Sequence, residues 1–249
     1  MKKIRADQLI AERGLAESRE KARRLIMAGE VFFEGVGGRE TVDKPGKLLP
    51  CDCPIAVREQ APFVSRGGEK LATALEYFQI NIQGLHALDV GSSTGGFVDC
   101  LLKAGAAKVY AVDVGKGLLD QRLRIDPRVE VLEGVNFRRA RPDLLGPGVL
   151  VDLVVVDVSF ISLKLILPVC LQFIKPEAKL IALVKPQFEL GPGMTDKGVV
   201  RNLDLQEEAV AGISALAQNQ LGLGVLGCVP SRIRGAKGNQ EYLLYMRKY

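Results

Sequence analysis

Two rhythms of apolar and polar residues divide the chain. In the first sixty residues the apolar stretches are short. Ile4, Leu9 and Ile10 have a helical spacing that predicts a helix over residues 4–12, ended by Gly14. Ser18 is placed to N-cap a second helix, Arg19–Ala28, which Gly29 closes. Ala22, Leu25 and Ile26 form its inner stripe, with Arg19, Lys21, Arg23 and Arg24 on the outer face. Extended pieces follow at Val31–Phe33, Thr41–Val42 and Leu48–Val57, with a Gly-rich turn at Val36–Gly38. Short helices beside short strands predict a small α+β domain over residues 1–60.

A hinge containing Pro62 spans Arg58–Val64, and beyond it the pattern changes. Leu71, Leu75 and Phe78 stripe a helix that runs from about Ser65 to Phe78. Near-continuous apolar runs follow at Ala87–Val90, Val109–Val112, Val129–Leu132, Leu150–Val156 and Leu180–Val184. Helical spacing falls between them, over Phe97–Lys103, Leu163–Ile174 and Leu205–Asn219, and strands are predicted at Gly224–Val229 and Glu241–Met246. Apolar strands alternating with helices predict an α/β domain over residues 61–249, with a mostly parallel sheet covered by helices on both faces. Such sheets bind ligands beyond the carboxyl ends of their strands, where strand order reverses. Asp89, Asp113, Asp157 and Lys185 are all predicted at such ends.

The stretch A-L-D-V-G-S-S-T-G-G-F, Ala87–Phe97, reads as strand, glycine-rich turn and helix. A ligand there can touch bare backbone and meet a helix N-terminus. The dinucleotide fingerprint G-x-G-x-x-G is absent, because Ser93 stands where its second glycine would be. Asp89 at the mouth of the turn disfavours a pyrophosphate and suits an ammonium or sulfonium. S-adenosylmethionine carries both. Asp113, ending the next strand, is placed to accept hydrogen bonds from ribose hydroxyls.

Charge and composition narrow the picture further. The net charge of +5 permits a nucleic-acid partner. No apolar run is long enough to cross a bilayer, so no membrane partner is expected. The start, M-K-K-I-R-A-D, has charges without an apolar core, and the five cysteines read as reduced thiols, so the chain is expected to be cytoplasmic. His86 is the single histidine, which argues against histidine triads and zinc sites; it is expected to be packed. Cys51-Asp52-Cys53 has no second ligand pair, so no metal is expected.

Two families resemble parts of this sequence. Arg5–Gly35, with its core G-L-A-E-S-R-E-K-A-R-R-L-I-M-A-G-E-V, resembles the ribosomal-protein S4-like RNA-binding domain. That resemblance implies RNA contacts from Arg5, Arg19, Arg23 and Arg24. Residues 65–249 resemble the FtsJ-like RNA ribose 2′-O-methyltransferases. The motifs are S-R-G-G-E-K-L at 65–71, D-V-G-S-S-T-G-G-F at 89–97, V-V-V-D-V-S-F at 154–160, L-V-K-P-Q-F-E at 183–189 and N-Q-E-Y-L at 239–243. Arg66 is added as an RNA contact.

Taken together the chain resembles the TlyA family, whose members are often labelled hemolysin A and include rRNA 2′-O-methyltransferases. The fold this implies is a Rossmann-like S-adenosylmethionine-dependent methyltransferase domain behind an S4-like one, with ribosomal RNA or a ribosomal subunit as partner. The resemblance implies a Lys-Asp-Lys-Glu tetrad of Lys70, Asp157, Lys185 and Glu241. A free lysine, with a pKa of about 10.4, is protonated at neutral pH. Desolvation and a second cation favour its neutral form. The resemblance implies Lys185 as general base, Lys70 as neighbouring cation, and Asp157 and Glu241 as carboxylates that orient the two amines; their negative charge opposes the neutral form, and the sequence does not decide which effect wins. Asp89, Gly91, Ser93, Thr94, Gly95, Gly96 and Phe97 are implied around the methionine end of S-adenosylmethionine, with Asp157 beside them. Asp113 is implied at its ribose and Asn136 at its adenine. Two positions depart from the family pattern: Asn136 often aligns with Asp, and Phe97 with Trp. The competing reading is a non-catalytic RNA-binding protein that keeps the fold. A pore-forming reading has no transmembrane span, export signal or long basic amphipathic helix to carry it.

Overall fold

A computed structural model describes residues 3–35, 38–58, 62–191 and 193–249. The centre of the predicted turn, 36–37, and of the hinge, 59–61, lie outside the described residues. The chain forms two compact units, Met1–Gln60 and Ala61–Tyr249.

The first unit is α+β. It runs β1 (Lys3–Arg5), α1 (Ala6–Glu12), α2 (Arg19–Met27), β2 (Val31–Gly35), β3 (Gly38–Thr41), β4 (Leu48–Pro50) and β5 (Ile55–Val57). β1 pairs with β4, and a three-stranded sheet has the order β3-β2-β5. Ile4 was expected in the first helix, yet it lies in β1 opposite Leu49. The strand partner wins because α1 begins only at Ala6, whose amide donates to the Lys47 carbonyl at 2.8 Å. Ser18 caps α2 by accepting from the Lys21 amide at 3.2 Å. Leu9, Ile10, Ala22, Leu25, Ile26 and Val31 close the core of this unit.

The second unit runs α3 (Gly67–Tyr77), β6 (His86–Val90), α4 (Gly96–Lys103), β7 (Lys108–Asp113), α5 (Gln121–Arg124) and β8 (Val129–Glu133). It continues through β9 (Val151–Val156), α6 (Leu167–Cys170), β10 (Ile174–Val184), α7 (Pro186–Glu189), α8 (Leu203–Asn219), β11 (Leu223–Pro230) and β12 (Tyr242–Lys248). Its strands form one sheet of order β11-β12-β10-β9-β6-β7-β8. From β10 to β8 the pairing is parallel, and β12 runs antiparallel between β10 and β11. The chain leaves β6 towards β7 and β8, then returns to the other flank of β6 with β9. Strand order thus reverses at the carboxyl ends of β6 and β9.

Each sheet face has its own core. Leu88, Val90, Val154, Val156, Ile213 and Ala217 pack on one, and Leu71, Ala87, Phe97, Leu101, Val155 and Leu183 on the other. The helix predicted over Leu163–Ile174 does not form as one piece. A 3₁₀ turn at Leu163–Leu165 gives way to the short α6, and Ile174 already belongs to β10. Pro168 supplies no amide and disfavours helical geometry at Leu167, so it is tolerated only in the first turn of a new helix. His86, expected to be packed, is exposed at the start of β6.

Candidate active site

Gly91 lets the turn after β6 touch the turn after β9. Its φ is +89°, and a Cβ there would lie 2.6 Å from the Asp157 carbonyl oxygen. A side chain would meet both backbone strain and a collision. Ser93 holds the left-handed region, with φ +48°. Asp113, at the end of β7, fixes this turn: its Oδ2 accepts from the Ser93 amide at 2.8 Å and its Oδ1 from the Gly115 amide at 2.7 Å.

Three glycines, Gly67, Gly68 and Gly96, bring the start of α3 onto the start of α4. A Cβ on Gly96 would lie 2.7 Å from the Gly68 nitrogen and 3.0 Å from the Gly67 Cα. This close approach aims the first turn of α3, and with it Lys70, at the carboxyl ends of the strands. Lys70 Nζ meets Glu241 Oε2 at 2.5 Å, with the two side chains 12% and 2% exposed. Glu241 precedes β12, which enters the sheet at this same end because it is antiparallel.

Lys185 follows β10 and Asp157 follows β9, on neighbouring strands. Lys185 Nζ lies 2.6 Å from Asp157 Oδ1 and donates to Ser159 Oγ at 2.9 Å. The contact with Asp157 is a close ion pair without the angles of an aligned hydrogen bond.

All four tetrad side chains line one cavity of about 420 Å³, together with Arg66, Gly91, Ser93, Thr94, Gly96, Phe97 and Ser159. A second cavity of about 510 Å³ shares Gly91, Ser93 and Asp157 with it. That one extends past Asp113 and Asn136 over the apolar Val112, Leu118, Val135, Phe137 and Ile161.

Two of the residues expected at the cofactor line neither cavity. Asp89 is one. It is wholly buried on the β6 face turned towards α3 and α4, with neither carboxylate oxygen hydrogen-bonded to a side chain. Burial, helped by the charges of Asp157 and Asp113, pushes its carboxyl well above the usual carboxylate range. Gly95 is the other; it caps α4 with φ +94° beneath Leu119 and Leu123.

Three features had no role assigned from the sequence. Ser159 holds the Lys185 amine. Glu189 at the end of α7 ties two loops together: Ser162 Oγ donates to it at 2.5 Å and the Leu163 amide at 2.9 Å. Burial raises the Glu189 carboxyl. Phe160 is 91% exposed at the cavity mouth, with φ +62°, its ring centroid 5.2 Å from that of Phe188. Each lies inside one of the family motifs, two or three residues from Asp157 or four from Lys185, and that proximity was the available signal.

In the first unit, buried Asp7 holds Arg5 at 3.0 Å and Arg19 at 3.3 Å. The Arg5 hydrogen bond keeps the Asp7 carboxyl below its usual range. Arg5, Arg19 and Arg23 line one shallow concavity. Arg24 is paired with Glu20 at 2.6 Å on the exposed face of α2. Among the described residues no cluster of His, Cys, Asp or Glu is placed to hold a metal ion, and no helix is long and apolar enough to cross a membrane.

Known proteins resemble both units. Residues 63–248 match the FtsJ-like methyltransferase family, and residues 4–35 match the S4 domain. The chain is 42% identical over 249 residues to a Mycobacterium tuberculosis protein named 16S/23S rRNA (cytidine-2′-O)-methyltransferase TlyA, with 99% of this chain and 90% of that one aligned. A solved structure from Streptococcus thermophilus, described as a hemolysin, superposes with a TM-score of 0.74 at 40% identity, covering 100% of this chain and 89% of that one. The O-methyltransferase TomG of Streptomyces achromogenes, solved with S-adenosylmethionine, shares the fold at 19% identity and a TM-score of 0.52, over 75% of this chain and 82% of that one. With relatives this similar along nearly its whole length, the chain belongs to the TlyA family of FtsJ-like methyltransferases, which set an S4 domain before the methyltransferase domain.

Proposed function

We propose that this chain methylates the 2′-hydroxyl of a ribose in ribosomal RNA, using S-adenosylmethionine, with Lys185 as general base. The observation that carries this reading is the convergence of two lysine–carboxylate pairs on one cavity beside the Gly91 turn. The nucleotide is read as a cytidine because the relatives with assigned targets carry that base in their names. A ribosomal substrate fits a cytoplasmic protein.

The residues present fit S-adenosylmethionine. The side-chain-free edge at Gly91 leaves room for a ligand against backbone. Asp113 has two amide donors, and its carboxyl oxygens keep further lone pairs for ribose hydroxyls. The apolar wall from Val112 to Ile161 suits an adenine, with Asn136 at its edge. The carboxylate of Asp157, common to both cavities, faces the region where a positive charge would lie. Bound there, S-adenosylmethionine supplies an electrophilic methyl group.

The chain's own residues then act on the hydroxyl. A ribose 2′-hydroxyl is a weak nucleophile until its proton is taken. Lys185, in its neutral form, accepts that proton at Nζ. Ser159 and Asp157 fix the amine from two sides, leaving a third direction for the substrate. The ammonium formed stands against Asp157, so charge develops where a fixed opposite charge already lies. Lys70, clamped by Glu241, presents a second cation to the same cavity. Phe160 offers an exposed ring to a base lifted out of its stack. The arginines of the first unit, Arg5, Arg19, Arg23 and Arg24, with Arg66 of the second, are the proposed RNA contacts.

Methyl transfer from tritiated S-adenosylmethionine to unmodified small and large ribosomal subunits tests the reading. Alkali-resistant labelled dinucleotides are expected from wild type. Lys185→Ala should lower the rate by about 10²–10⁴-fold, the range for a lost general base, while calorimetry shows cofactor binding retained. Full transfer by Lys185→Ala would end the general-base assignment.

A further inference from the structure

We propose that Lys197, Arg234 and Lys237 form a rim that grips backbone phosphates of the RNA strand beside the target ribose; this rests on the RNA methyltransferase reading and gives it a strand path. The basic loop Arg232–Lys237 has no part in the tetrad, yet its turn is built into the site. Gly235 and Ala236 line the cavity that holds Lys70, Lys185 and Glu241. A Cβ on Gly235 would collide with the Glu241 carboxylate, so this turn is seated directly on the buried pair.

A second loop is fastened to the first by one buried side chain. Asn239 is 2% exposed. Its Oδ1 accepts from the Val200 amide at 3.0 Å, and its Nδ2 donates to the carbonyls of Gly198 at 2.9 Å and Ala236 at 3.1 Å. Buried Gln206 takes the remaining backbone group of Val200, donating to its carbonyl at 2.8 Å. The two loops are therefore tied together at the edge of the cavity.

The tied loops display charge without neutralising it. Among the described residues Lys197, Arg234 and Lys237 have no carboxylate partner, and all three are exposed. Lys237 Nζ donates to the Lys197 carbonyl at 3.1 Å, and Arg234 Nη1 to the Gly238 carbonyl at 3.1 Å. Backbone carbonyls orient these cations and leave their charge intact. Their basic neighbours differ: Arg232 is paired with Glu76 at 2.6 Å, and Arg201 with Asp196 at 3.6 Å. Lys197 and Lys237 both sit in the left-handed region, with φ +50° and +56°, a conformation that side-chain-bearing residues adopt infrequently. Such strain persists where surrounding contacts hold it, and it gathers at functional sites. Three uncompensated cations, fixed at the edge of a cavity that must receive a ribose, match the phosphates flanking that ribose.

The test compares full-length wild type with the triple variant Lys197→Gln/Arg234→Gln/Lys237→Gln and with the charge-keeping Lys197→Arg/Lys237→Arg. The assay is methyl transfer to the unmodified ribosomal subunit across a salt series. In the triple variant the KM for RNA is expected to rise about tenfold. The dependence of log KM on log salt should flatten by about 2, since each single-strand phosphate contact contributes about 0.7. The arginine variant should behave as wild type. An unchanged KM and salt slope in the triple variant overturn the rim while leaving RNA methylation standing. A raised KM with an unchanged slope overturns it as well, because the loss would then be structural. Absence of transfer by wild type overturns both readings.

Discussion

Cutting the Lys70–Glu241 pair from one side separates its structural role from the proposed catalytic one. Glu241 is 2% exposed, and among the described residues the Lys70 amine at 2.5 Å is the one hydrogen-bond donor to its carboxylate. Lys70→Met keeps the aliphatic stem and leaves that charge buried without a partner. Breaking a buried pair in this way costs about 3–5 kcal/mol, out of a total stability of about 5–15 kcal/mol for typical domains. At about 2–4 °C per kcal/mol for a unit of this size, the second unit should melt about 6–20 °C lower. Glu241→Gln removes the negative charge and keeps a polar tip, at a cost of about 1–3 kcal/mol. The double variant has no stranded charge, so it should be more stable than Lys70→Met alone. Urea unfolding followed by circular dichroism gives the four free energies of the cycle. All three variants should have lost methyl transfer. A double variant that loses the sum of the two single costs would show that the side chains are not coupled. A Lys70→Met protein as stable as wild type would show that Glu241 does not depend on this lysine.

Other perturbations probe the remaining parts of the site. Gly91→Ala puts a methyl 2.6 Å from the Asp157 carbonyl at φ +89°; if the turn shifts to relieve a strain of about 1–3 kcal/mol, calorimetry should show S-adenosylmethionine bound about 5–150-fold more weakly. Phe160→Ala should raise the KM for RNA with cofactor affinity retained, since stacking one base on an aromatic ring contributes about 1–3 kcal/mol; an unchanged KM removes Phe160 from substrate binding. Glu189 is raised by burial, so its contribution to stability is fully present below the unfolded carboxyl pKa and is lost as pH rises through the folded one. Glu189→Gln, neutral throughout, should therefore gain in melting temperature over wild type as pH rises above the ordinary carboxyl range of about 4.3, and a difference independent of pH would contradict this.

What could be read in advance follows from how local each signal is. The Ser18 cap and the Gly91 turn depend on a few adjacent residues, and both stand in the structure where the local pattern put them. Apolar strand runs were equally legible, because a parallel sheet buried on both faces needs them at every position. That same property hid the orientation of Asp89. When both faces of a strand are apolar, alternation no longer tells which way a carboxylate points, and Asp89 is wholly buried on the face towards α3 and α4. Pro168 was local too, yet the apolar spacing around it overrode it in the reading, and the helix broke there. Contacts made at long range were beyond pattern alone. Lys70 and Glu241 are 171 residues apart, and motif resemblance placed them in one tetrad without showing which lysine takes which carboxylate. The sheet topology decides that pairing. Lys185 and Asp157 leave neighbouring parallel strands and meet directly, whereas Glu241 enters on an antiparallel strand and is left for the lysine delivered by α3. Each amine therefore has its own anion, and both pairs face the same cavity.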